Sequence, residues 1–419
     1  MLKHITGTFF TRIVVSLANF AIIIITARLM GAEARGNISL AMLAIAIAGL
    51  INEVIGGPAV VFLIPRYNNR IIIKYAYLWG LLTSLSCSSI TAFLGLYEMS
   101  LFPFVCVGSL LLCTGSIHLF VLLGHQQIKV FNQIAVLQSV LLFIVFVSFM
   151  GGQKLHIEFY FYALIVAYAT AFLYGRIKIN KLISFADKSS TNIGFSKLFQ
   201  NGIYTQLASI FHLLSSRISF YFSEYFLSLA FVGVLSTAVS VTEAAMLFSS
   251  SVALITVGKV ANETNQAKAT ASVINLIKLS VMISVCLLCM LCLLPGSVLM
   301  LIFGKEFFQL KVIILTMIPG ALASSISQVI SHYYTGVGRF KVNTTAGIIS
   351  LGCSLAAATI YLFSKSVLLP GLIISVSAIA AMIYFVRLFL KEQQLKITDI
   401  IPGPTDMIAL LHKFNSKAK

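Results

Sequence analysis

The sequence is a succession of uncharged apolar runs, about a dozen of them, each about 20 residues long. A helix rising ~1.5 Å per residue crosses a ~30 Å hydrocarbon core in such a run. Backbone groups in lipid must hydrogen-bond within the spanning structure, which leaves helices or closed barrels. The runs lack the in–out alternation of barrel strands, so the expected class is an all-α polytopic membrane protein. Twelve spans are read, at 8–30, 38–64, 73–95, 101–123, 128–150, 157–178, 200–225, 231–257, 271–294, 309–335, 341–363 and 368–390.

A net charge of +17 sits on only 10% charged residues, and its distribution gives an orientation. With the N-terminus inside, 21 of the 29 basic residues fall on inner segments or the C-terminal tail and 6 on outer ones. Arg12 and Arg217 fall within spans. This is the positive-inside pattern, so both termini are expected in the cytoplasm and the basic excess reports contact with anionic membrane lipids rather than nucleic acid. The first run has no small-residue cleavage site after it and reads as a signal anchor.

Every connection is short except the polar stretch near 178–199, which divides the spans six and six. The expected organisation is an N-terminal lobe at 1–180, a cytoplasmic linker at 181–199, a C-terminal lobe at 200–391 and a cytoplasmic tail at 392–419. Two echoes support an internal repeat. GAEARGNISLA (31–41) matches SLAFVGVLSTA (228–238) at Gly36/Gly233, Ser39/Ser236 and Ala41/Ala238. GHQQIKV (124–130) matches GVGRFKV (336–342) at Gly124/Gly336, Lys129/Lys341 and Val130/Val342. Two parallel six-helix repeats around a central cavity form a transporter-like architecture.

A charge inside a span costs about 2.5–3.5 kcal/mol on insertion scales. Each half places a basic residue on its first helix and an acidic one on its second: Arg12 and Glu53, then Arg217 and Glu243. Two readings stand. The charges form structural ion pairs, or the arginines face a wet cavity where their planar forks hold phosphate oxygens. Glu53 and Glu243 are also candidates for proton or sodium coupling. Of the span histidines, His118 and His332 read as packing residues. His212 stands five residues before Arg217 and is a candidate for the same cavity. Gly56-Gly57-Pro58 follows Glu53 and is expected to kink or hinge span two.

No phosphate-binding loop of the G-x-x-x-x-G-K-[ST] type occurs, nor H-E-x-x-H or G-x-S-x-G. The reading is therefore a non-enzyme with no cofactor, whose driving force comes from an H+ or Na+ gradient, the membrane potential or consumption of product. Cys286, Cys289 and Cys292 have ligand-like spacing, but in an apolar helix they read as a packing face and no metal site is expected.

The segment Arg28-Leu29-Met30-Gly31-Ala32-Glu33-Ala34-Arg35-Gly36 and on to Ala41 resembles a signature of the Wzx-type polysaccharide flippases, placed as there between spans one and two. Residues 216–238 and 303–343 are similar to that family's seventh and tenth spans. The family belongs to the superfamily of the MATE exporters and lipid II flippases. The resemblance implies a MATE-like fold in the bacterial cytoplasmic membrane. It also implies transfer of an undecaprenyl-diphosphate-linked sugar repeat unit, such as an O-antigen unit, from inner to outer leaflet. A polysaccharide polymerase and a chain-length regulator are then the expected partners. The family's cationic cavity fits Arg12, Arg217 and His212 as substrate contacts. Relatives often carry Arg-x-Asp near the start of span seven. Here Ser219 follows Arg217-Ile218, leaving Glu243 as the nearer acid. A MATE-like cation or drug exporter is the nearest alternative. A polysaccharide polymerase would need a larger outer loop than this chain has.

The charge distribution predicts that a fluorescent protein fused after Lys419 folds and glows inside the cell, while alkaline phosphatase fused there is inactive. The reverse pair of results contradicts the orientation.

Overall fold

The computed structural model describes residues 2–64, 67–150, 156–186, 194–262 and 266–403. Among them the ordered elements are helices. They are α1 (Leu2–Ile25), α2 (Gly31–Gly56), α3 (Pro58–Leu63), α4 (Asn69–Phe93), α5 (Phe102–Gly124), α6 (Ile128–Ser148), α7 (Ile157–Ala186) and α8 (Phe195–Phe226). There follow α9 (Leu229–Ala245), α10 (Leu247–Asn262), α11 (Gln266–Leu293), α12 (Gly296–Phe303), α13 (Leu310–Gly336), α14 (Phe340–Ala358), α15 (Leu369–Gln393) and α16 (Ile397–Ile400). The middle of the expected linker (187–193) and the tail beyond 403 lie outside the described residues.

Nine helical runs among the described residues are long and apolar enough to cross a membrane. The first, Thr11–Val61, has 51 residues. Unbroken, it would reach about 75 Å, more than twice the hydrocarbon core. It is broken after a π-helical turn at Thr26–Met30, where Gly31 takes φ +85° and ψ 175°, so it holds two spans. That makes ten apolar spans. The polar α8 and the paired α9 and α10 occupy the positions expected for spans seven and eight. Span eight was expected to be continuous; it breaks at Met246.

Backbone contacts divide the chain into two compact units. The first holds residues 1–210, 223–237 and 300–307; the second holds 211–222, 238–299 and 308–419. In the first unit α2 packs on α4 and α5, α5 on α7, α7 on α6 and α6 on α1. Its core joins Val54, Ile55, Ile72, Ile117 and Val121. In the second, α13 lies against α15, α10 and α11. Pro319 removes one backbone donor from α13, and the adjacent Gly320 N–H donates instead to Ser375 Oγ of α15 at 3.1 Å. Ser375 Oγ in turn donates to Thr316 O at 2.7 Å, so one hydroxyl rejoins the helix around its proline.

Residues 31–37 were expected in the connection between spans one and two but form the first two turns of α2. The reason lies far away in sequence. Glu306 accepts a hydrogen bond from Ala32 N–H at 2.6 Å, placing a carboxylate on the positive end of α2 where a local cap is absent. Arg28 Nη1 donates to Leu301 O at 2.9 Å and ties the same strand of chain to this corner. Glu33 is exposed in the first turn and Arg35 is buried. The cysteine expectation is corrected: Cys286, Cys289 and Cys292 are exposed, so they form an outward face of α11 and not a helix–helix contact. The C-terminal carbonyls of α11 are met by Lys311 Nζ, which donates to Leu294 O at 2.7 Å and to Cys292 O.

Both echoes have a structural counterpart. At the α5–α6 turn, His125, Gln126 and Gln127 donate their N–H groups to the carbonyls of Val121, Leu123 and Leu122. At the α13–α14 turn, Val337, Gly338 and Arg339 donate to Tyr333, Thr335 and Tyr334. Every donor and acceptor is shifted by the same 212 positions. Gln126 and Gly338 both have positive φ, 59° and 76°. The second turn is also tied to α15, where Arg339 Nη1 donates to Glu392 Oε2 at 2.7 Å; that carboxylate holds the guanidinium above its ordinary pKa.

The first echo is a contact. The Ser39 and Ser236 hydroxyls are hydrogen-bonded at 2.7 Å, 197 positions apart. A methyl group at Gly36 would collide with Leu229 O, and one at Gly233 would collide with Ala32 O. Because 229 stands to 32 as 233 stands to 36, the crossing of α2 and α9 is reciprocal, as at a two-fold axis. Gly233→Ala is expected to push these helices apart and cost about 1–3 kcal/mol by overpacking, read as a lower melting temperature of the detergent-solubilised protein. Gly352→Ala, where a methyl group meets nothing within 4 Å, serves as the neutral control. Equal melting temperatures for the two variants contradict the close crossing.

Candidate functional site

The two acidic residues occupy corresponding kinds of place. Glu53 lies in the last turn of α2, which ends at Gly56; Gly57 has non-helical φ −109° and ψ −140°, and Pro58 opens α3. Glu243 lies in the last turn of α9, where Met246 N–H reaches back to Glu243 O at 3.0 Å. A carboxylate at a helix C-terminus faces the negative end of the helix dipole, so each acid needs a donor from another element. Both donors come from α8.

Within the first unit, Gln206 is buried and its Nε2 donates to Glu53 Oε2 at 2.5 Å. The approach depends on Gly202, one turn earlier on α8, where any side chain would collide with Val54 O of α2. The neighbouring Asn52 is fully buried, and its Nδ2 donates to Cys113 O at 3.0 Å and to Ser116 Oγ at 3.1 Å. Trp79 Nε1 donates to Ile51 O at 3.0 Å. The last two turns of α2 are thus fixed from both α4 and α5, and the carboxylate is presented by a rigid support.

Within the second unit, Arg217 Nη2 donates to Glu243 Oε1 at 2.8 Å. The arginine side chain is 23% exposed and the glutamate 61%. The guanidinium also stands over the ring of the buried Phe220, 5.2 Å from its centroid. His212 is exposed, one and a half turns earlier on α8, within electrostatic reach of both charges. Ser350 of α14 donates to Ser215 Oγ at 3.1 Å and holds this stretch of α8 in place.

The structure therefore brings Arg217, Glu243 and His212 together. It does not bring Arg12 to Glu53: Arg12 is exposed on α1, and no ion pair joins the two among the described residues. His118 is buried against Tyr77, whose hydroxyl its Nε2 meets, and His332 Nδ1 lies 2.8 Å from Gln328 O. Among Arg28, Gly31, Glu33, Arg35 and Gly36, the contacts of Arg28, Gly31 and Gly36 build the α1–α2 corner and the α9 crossing. Sequence reading missed Gln206; its signal was an amide within an expected span, one turn after Gly202.

No protein-family model matches the chain, and no curated protein matches it by sequence. Solved structures do match. The chain is similar to an inward-facing multidrug resistance MATE family transporter of the MOP superfamily, with TM-score 0.66 and 15% identity over 91% of this chain and 94% of that one. An outward-facing structure of such a transporter gives 0.63 and 15% over 94% and 95%. A MATE structure in the bent conformation gives 0.64 and 16% over 93% of each chain. The chain has the MATE fold.

Gln206→Leu is expected to strand the Glu53 carboxylate and cost about 1.5–3 kcal/mol at neutral pH, the worth of a hydrogen bond to a charged group. Adding Glu53→Leu should recover most of that loss in thermal melts. Additive losses in the double variant contradict the pairing.

Proposed function

We propose that this chain carries a polyprenyl-diphosphate-linked oligosaccharide, such as an O-antigen or similar repeat unit, from the inner to the outer leaflet of the bacterial cytoplasmic membrane by alternating access. The observation that carries the reading is Arg217: a half-buried guanidinium on a membrane helix, with only one of its five N–H donors engaged among the described residues. A diphosphate cannot cross hydrocarbon unaided, because stripping water from its charges costs many kcal/mol. A guanidinium fork replaces that water with two parallel hydrogen bonds. His212, five residues before Arg217 on α8, adds a hydrogen-bonding group to the same site. The MATE fold supports the reading by supplying a scaffold, and the resemblance at 28–41 supports the choice of cargo. Alternating access exposes the cargo to one side and then to the other while its polyprenyl tail stays in lipid. A polysaccharide polymerase and its chain-length regulator then take over the product.

A second reading, export of organic cations, is favoured by the multidrug transporters that share the fold. It would rest on Glu53 and Glu243. Each of these already holds a donor, Gln206 or Arg217, and a cation would have to approach beside an arginine.

The reading predicts that Arg217→Ala abolishes surface glycan in cells that depend on this chain, at near-normal protein level, and leaves resistance to cationic dyes unchanged. Arg217→Lys, a point charge without the planar fork, should restore part of the glycan. Full glycan in Arg217→Ala, or dye sensitivity in its place, overturns it.

A further inference from the structure

The two halves of the chain share a turn but balance its charge differently. After α13, Arg339 donates to Glu392 of α15, so a carboxylate within the protein answers the cation. After α5 the same turn leads into α6, with Lys129 at the position matching Lys341. α7 packs on α5 and α6 as α15 packs on α13 and α14, and its last three turns carry Arg176, Lys178 and Lys181. The one carboxylate on α4 to α7 is Glu158, in the first turn of α7 and so at the opposite end. Asp187, the next acid along the chain, lies outside the described residues.

A hydrogen bond from Tyr174 OH to Gln133 Oε1 at 3.3 Å sets the register of the antiparallel α6 and α7. One turn further toward the basic end, Lys129 of α6 and Lys178 of α7 form the next pair across. Lys178 Nζ stands over the Tyr174 ring, 5.1 Å from its centroid. Arg176 is fixed on another side of α7. Its Nη1 donates to Tyr77 OH at 3.3 Å, and the guanidinium lies 5.6 Å from the centroid of that ring. Between these two faces α7 presents an exposed apolar row, Tyr162, Val166, Leu173 and Ile177. Steps of four and seven residues keep the row on one side of the helix. It ends at Ile177, whose neighbours in sequence are Arg176 and Lys178.

We propose that this end of α6 and α7 holds an anionic phospholipid, its phosphodiester against Lys129, Arg176 and Lys178 and its acyl chains along the row from Ile177 to Tyr162. The charge distribution reads this end as cytoplasmic, which assigns the lipid to the inner leaflet. Like charges gathered without a carboxylate repel one another, and a phosphodiester relieves that repulsion as Glu392 does in the second half. A zwitterionic head group brings its own cation to the same place, so the preference is for a head group of net negative charge. A soluble anion would answer the charge and leave the apolar row uncovered; a lipid answers both. The lysine stems lie along apolar surface while their ammonium groups reach the phosphate. The first turn of α6 adds the positive end of a helix whose N-cap residue, Gln127, makes no side-chain cap. A lipid that bridges α6 and α7 stabilises the first unit, so membrane composition sets its stability whatever the cargo.

The test is native mass spectrometry of the purified full chain in detergent, which counts bound lipids. The probes are dioleoylphosphatidylglycerol and, with the same acyl chains but no net charge, dioleoylphosphatidylcholine. Wild type is expected to bind one phosphatidylglycerol at least about thirtyfold more tightly than phosphatidylcholine, and to melt at a higher temperature with it bound. K129Q/K178Q should weaken phosphatidylglycerol binding about thirtyfold, from about fivefold for each basic residue at a membrane surface, and leave phosphatidylcholine unchanged. K341Q, which removes the matching lysine of the second half, should bind as wild type does. Equal binding of the two lipids by wild type overturns the proposal. So does a K129Q/K178Q protein that keeps the preference, or a K341Q protein that loses as much, which would make the effect one of net charge alone. Glycerophosphoglycerol, the head group without its chains, should fail to displace the lipid even in large excess. Displacement would put a soluble anion in the site and overturn the lipid assignment. Should the double variant fail to fold, K129Q and K178Q are measured singly, and unchanged affinity in both overturns the proposal.

Discussion

A charge or amide inside a membrane must find its partner within the protein, and in this chain that requirement converges on α8. One face of the helix gives Gln206 to Glu53, and the stretch eleven residues further on gives Arg217 to Glu243. These polar residues explain why a 32-residue helix in a span position falls outside the apolar set. They also explain how two acids persist in the last turns of α2 and α9, where the helix dipole opposes them. Gly202 lets α8 come close to α2, and Ser350 holds the later stretch of α8 at Ser215.

The second organising feature is duplication. The turn after α5 and the turn after α13 match hydrogen bond for hydrogen bond, down to a residue of positive φ, although one uses glutamine where the other uses glycine. A left-handed glutamine is strained relative to glycine, so the turn is imposed by the helices it joins and not by local preference. The Gly36–Gly233 crossing shows the same duplication as a reciprocal contact, with small residues on both helices where backbone meets backbone.

Much of this was legible in the residues. Apolar runs marked the spans because a bilayer demands length and continuity. Gly56-Gly57-Pro58 marked the end of α2 because proline cannot continue the ladder. The rest depended on contacts no local pattern encodes. Residues 31–37 read as a connection between spans, yet they are helical with a carboxylate from Glu306 at their start. The break at Met246 has neither proline nor glycine within it. Arg12 and Glu53 read as a possible ion pair but form none among the described residues, because position along the chain says nothing about which face a side chain occupies. Gln206 carried no charge and so raised no flag, though burying an amide imposes the same need for a partner.

The proposed cargo, a polyprenyl diphosphate sugar, would cross the bilayer because Arg217 takes up its charge. The most direct measurement is the sidedness of lipid-linked sugars in cells lacking the chain, using a membrane-impermeant probe on intact spheroplasts followed by lipid extraction. The account predicts complete repeat units trapped on the inner leaflet. Single units present on the outer leaflet, unlengthened, would contradict it and assign the chain to a later step.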